Sequence, residues 1–140
     1  MSLKHLTTAL AAIGAAFIVY VGLSYLIAPQ ATAAGFGLPT WPRQDGAGFL
    51  AVKGVRDIAT GLVIFALLLT GQRRALGWAM AAITFVPAGD MVIVLGNGGP
   101  AGHAYGVHGA TALAVALTAG LLLRERPAPA VRTAAEPARA

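Results

Sequence analysis

The chain has 140 residues, 57% of them hydrophobic and 11% charged, with a mean hydropathy of +0.73. Soluble domains carry about 25% charged residues, so this composition excludes an ordinary soluble globule and points to an integral membrane protein. Cysteine is absent, which removes disulfides, thiolate nucleophiles and cysteine-based metal sites. The net charge of +5 suggests nucleic acid only until the basic residues are placed. Lys4, Arg73, Arg74, Arg124, Arg126, Arg132 and Arg139 flank apolar runs or lie in the tail, so they report topology, and no nucleic-acid partner is expected.

The length allows one domain of about four spans of about 20 residues. The first apolar run extends from Leu6 to Ala28 and is ended by Pro29. A run of 23 residues exceeds the apolar core of a signal peptide, about 7 to 15, so the small-residue stretch at 31–33 is not read as a cleavage site. Within this span Gly14, Ala15, Ala16, Gly22 and Ser24 permit close helix packing, while Tyr20 and Tyr25 suit interface anchors. Residues 29–45 are punctuated by Pro29, Gly35, Gly37, Pro39 and Pro42 and read as a loop, with Trp41 as a belt residue. A second span covers about 46–70, and the basic turn Gly71-Gln72-Arg73-Arg74 leads into a third, about 75–95, kinked by Pro87. After a glycine-rich turn the fourth span covers about 104–123. Residues 1–124 therefore read as an all-α, four-span membrane bundle, and residues 125–140 as a disordered tail rich in Pro, Ala and charge. Seven of the ten Lys and Arg residues lie on the side shared by the N-terminus, the 71–74 turn and the tail. The positive-inside rule then places both termini in the cytoplasm, with the chain multi-pass in the cytoplasmic (inner) membrane.

The second span holds the chemistry. Lys53, Arg56 and Asp57 fall at i, i+3 and i+4, and Thr60 and Gly61 continue that face. Charges at membrane depth cost about 2.5 to 3.5 kcal/mol each even on lenient insertion scales, so such residues point to function by default. The plainer alternative is that Lys53 and Asp57 neutralise each other and the cations snorkel to the nearer surface.

Depth can be counted along each span. Tyr20 lies 16 residues after Lys4, Asp57 16 before Arg73, Asp90 16 after Arg74 and His108 16 before Arg124. At about 1.5 Å per residue all four sit about 24 Å from the same boundary, which places them in one layer. Each has a structural reading as well. Asp90 can clamp the second and third spans by pairing with Arg56 or Lys53, and His108 can bond a backbone carbonyl near the start of its helix. A single ion pair needs only two residues, however, and this layer supplies two carboxylates, two strong cations and an imidazole, the ingredients of acid/base chemistry. His103 and His108, five residues apart, share a helical face poorly, so no metal and no cofactor is expected.

The segments Lys53–Gly61 (KGVRDIATG), Gly71–Ala79 (GQRRALGWA), Pro87–Asp90 (PAGD) and His108–Ala112 (HGATA) together resemble the small four-span proteins grouped as domain of unknown function 4267. The resemblance covers about residues 46–124. It implies a four-helix membrane domain whose signature polar positions are Lys53, Arg56, Asp57, Asp90 and His108, without an activity. More distantly, the architecture is similar to DoxX-like membrane proteins, in fold alone. The expected function is an enzyme or binding protein for a lipophilic small molecule. Asp57, Asp90 and His108 would serve as acid/base groups, and Lys53, Arg56, Tyr20 and Thr111 as substrate contacts. One alternative is a proton-coupled transporter, against which Lys53 and Arg56 would repel a cationic substrate; the other is a structural or accessory subunit. The expected partners are membrane lipid, a lipophilic small molecule and a second copy of the chain, since the chain is short for transporter folds with internal repeats unless it dimerises.

Overall fold

The computed structural model describes residues 2–125, and among them the only regular structure is helical. Helix α1 (Leu3–Ile27) begins under Ser2, whose side-chain oxygen accepts the His5 backbone N–H. Pro29 then opens a short helix α2 (Pro29–Ala34), which corrects the reading of 29–45 as uninterrupted loop. Proline suits this position because a first-turn residue needs no N–H and its φ is already helical. The chain continues through a 3-10 turn at Gln44–Gly46 into α3 (Gly48–Leu69). Helices α4 (Arg73–Ile83) and α5 (Phe85–Gly96) form one rod of 24 residues broken at Thr84. The break follows from Pro87, which has no N–H to give to the Ile83 carbonyl. A turn with Gly98 at φ +76° leads to α6 (Ala101–His103), a π-helical segment (Ala104–Gly109) and α7 (Ala110–Leu123).

Three of the rods, α1, α4–α5 and α6–α7, are long and apolar enough to cross a bilayer. Helix α3, with 22 residues, matches them in length but carries Lys53, Arg56 and Asp57. The outward faces are those of a membrane-embedded protein: Ile27, Leu69 and Phe85 are each more than 80% exposed, a surface that hydrocarbon and not water would solvate.

Small residues decide how the rods meet. A Cβ added at Gly22 would lie 2.6 Å from the Gly54 carbonyl oxygen, and one at Gly54 would lie 2.7 Å from the Gly22 carbonyl oxygen. Helices α1 and α3 thus touch backbone to backbone, the close approach that membrane helices use when no hydrophobic effect drives them together. On the other side Gly77 of α4 admits Leu122 and Leu123 of the last helix. The two pairs, α1 with α3 and α4–α5 with α7, join at one end through Ala11, Ala15, Ile64, Leu76, Met80, Ala119 and Leu122. Toward the other end a second cluster, Tyr25, Ala33 and Leu50, joins only α1, α2 and α3. The pairs therefore part toward the loops.

The joined end carries a polar clamp. Arg73 donates from Nε to Glu125 Oε2 at 2.8 Å, from Nη2 to Glu125 Oε1 at 2.6 Å and from Nη1 to Thr8 Oγ1 at 2.8 Å. Thr7 adds its hydroxyl to the same carboxylate. One guanidinium so ties α1, α4 and the end of α7. Glu125 belongs to this clamp and not to a loose tail, and residues 126–140 lie outside the described residues.

Candidate functional site

Where the helix pairs part they leave a cavity of about 720 Å³. Its rim includes Phe17, Ile27, Val86 and Val107, all exposed apolar side chains, so its mouth lies on the flank of the bundle. The four residues placed in one layer by counting along the spans, Tyr20, Asp57, Asp90 and His108, all line it, together with Lys53 and Thr111. Arg56 does not. It is exposed and absent from the wall, because the inward stripe of α3 is Lys53, Asp57, Thr60 and Ile64, and Arg56 stands about 100° round the helix from Asp57.

The pairings also differ from the expected cross-helix clamp. Lys53 Nζ donates to Asp57 Oδ2 at 2.9 Å, one turn along its own helix, and neither Lys53 nor Arg56 bridges to Asp90. The Lys53 ammonium lies 5.2 Å from the Tyr25 ring and 5.5 Å from the Phe36 ring, which favours its charge at depth. Asp90 instead faces His108, with Oδ2 4.0 Å from Nδ1. His108 Nε2 lies 2.8 Å from the Phe36 carbonyl oxygen. A carbonyl only accepts, so Nε2 carries the hydrogen and Nδ1 is the nitrogen turned toward Asp90. The ring of Phe36 packs on that imidazole at 4.6 Å between centroids, and His103 meets it edge-on at 5.8 Å.

Two irregularities in the backbone aim these groups. The π-helical segment widens one turn around His108, and such bulges recur at functional sites. The proline break lies less than two turns before Asp90, where α5 starts afresh after Thr84. Both the plain expectations, a Lys53–Asp57 pair and a His108 bond to a backbone carbonyl, hold here, yet they do not fill the layer. Asp90 keeps a side chain 24% exposed, with no hydrogen bond among the described residues, and the imidazole beside it can share a proton with whatever enters.

Of the wall residues that the sequence reading did not place there, Phe36 and Tyr25 touch the polar groups. Phe36 sits in an irregular loop with no periodic signal. Tyr25, expected at the membrane interface, is only 3% exposed and forms part of the wall under Lys53.

All-helical architecture, hydrocarbon-facing rods and a cavity with apolar rim and polar floor define a small membrane-embedded helical protein. The chain belongs to the family described as Domain of unknown function (DUF4267), whose model matches residues 15–122 and so takes in every cavity residue named above. No curated protein and no solved structure matches the chain.

Proposed function

We propose that this is a four-span membrane protein that binds a lipophilic small molecule in the cavity and exchanges a proton with its polar head through Asp90 and His108. The observation that carries this reading is the combination of an open cavity of about 720 Å³ with an unbonded carboxylate and an imidazole on one wall. A tightly packed polar layer would have favoured a structural subunit. Lys53 and Asp57 set the polar floor, Thr111 and Tyr20 offer hydroxyls at its edge, and access runs laterally from the bilayer. In this reading α3 is the fourth span, with Lys53 and Asp57 neutralised against each other, and the termini lie in the cytoplasm beneath the cytoplasmic membrane. Transport is less well supported, because the joined end is closed by the buried cluster around Leu76 and Met80.

The test is chemical. Protein carried in native nanodiscs is extracted with organic solvent and the extract compared by mass spectrometry with that of Thr60→Phe, which fills the cavity. A species retained in near-stoichiometric amount by the parent protein and lost from Thr60→Phe is the expected result. Identical extracts from the two would overturn the proposal.

A further inference from the structure

Resting on the reading of the cavity as a binding site, we infer that its ligand is a lipophilic amine, bound as an ammonium with its head on Asp90 and its tail along the apolar wall toward the bilayer. Charge complementarity carries this. Of the strongly charged groups in the layer, Lys53 and Asp57 cancel each other at 2.9 Å. Arg56, whose charge would repel a cation, is off the wall altogether. The titratable groups around Asp90 are His108 of the π segment, beside it on the same wall, and, from the other elements lining the cavity, Lys53 and Asp57 of α3 and Tyr20 and Tyr25 of α1. None of them donates a hydrogen bond to it, and His108 Nδ1 at 4.0 Å stands too far for one.

A carboxylate with free lone pairs in a low-dielectric cleft is the natural acceptor for an ammonium, which gives it charge-assisted hydrogen bonds. An anionic head would meet two carboxylates and gain only an ammonium already engaged by Asp57. A neutral head could hydrogen-bond to Asp90 but would bring no opposite charge to it.

The experiment uses the full chain in nanodiscs and three probes that share a dodecyl tail: dodecylamine, dodecanol and dodecanoate. Binding is measured by equilibrium dialysis, with the uptake of empty nanodiscs subtracted. Dodecylamine should bind about tenfold tighter than the other two, and Asp90→Asn should reduce that preference to about twofold or less. Equal binding of the three probes overturns the amine and leaves the cavity reading standing. Absence of saturable binding by any probe overturns the cavity reading itself. A preference that survives Asp90→Asn also overturns the inference, since the head would then sit elsewhere. Should Asp90→Asn fail to fold, the comparison of probes on the parent protein still decides.

Discussion

Replacing Glu125 by Gln removes the carboxylate that Arg73 holds through two N–H donors at 2.8 and 2.6 Å, at the point where α1, α4 and α7 are tied together. A hydrogen bond to a charged partner contributes about 1.5–3 kcal/mol net, and two are weakened here, but Gln keeps one acceptor. Arg73 is also 22% exposed at a helix end, where it can turn to water or lipid headgroups. The expected loss is therefore about 1–3 kcal/mol, toward the middle of what single substitutions cost. Reversible unfolding in mixed micelles reads it. A double-mutant cycle with Arg73→Gln should return a coupling of about 1 kcal/mol or more, while Arg74→Gln, exposed beside it, should stay within about 0.5 kcal/mol of the parent. The hydrogen bonds from Arg73 also hold the Glu125 carboxyl below its ordinary value of 4.5. A depressed carboxyl contributes stability above its unfolded value and loses it as pH falls through its lower folded value. The parent should thus exceed Glu125→Gln in stability near neutrality, and the gap should close as pH falls below 4.5. Additive single effects, or a gap indifferent to pH, would refute the clamp.

Gly54→Leu should destabilise by about 1–3 kcal/mol through overpacking against the Gly22 carbonyl, whereas Gly120→Leu, with open space around its Cα, should be tolerated; thermal unfolding of the two variants checks this. His108→Gln should keep the fold within about 1 kcal/mol, since an amide can still donate to the Phe36 carbonyl, and should abolish any proton exchange with a bound ligand. Isotope-exchange measurement on the loaded protein separates the two effects, and a variant as competent as the parent removes His108 from the chemistry. Reporter fusions at Gln72 and Arg126 should both report cytoplasm, and an exported reporter at either position would overturn the four-span topology.

Composition alone declared the solvent to be hydrocarbon, and run lengths with Pro87 located the rods and the break between α4 and α5. The convergence of Tyr20, Asp57, Asp90 and His108 on one cavity was also legible, because helical rise is constant and depth can be counted from each basic boundary. Azimuth is another matter. Whether Arg56 or Lys53 looks inward depends on how α3 is rotated against α1, and that rotation is set by the contact of Gly22 with Gly54, a property of two segments far apart in the chain. Phe36, Tyr25 and Glu125 take their places for the same reason: each is fixed by partners on other elements, the first two by the Lys53 ammonium and the imidazole, the last by Arg73. The cavity itself exists only because two closely packed helix pairs meet at one end and part at the other. A gap between elements depends on the volumes that face each other across it, and no single segment contains that information.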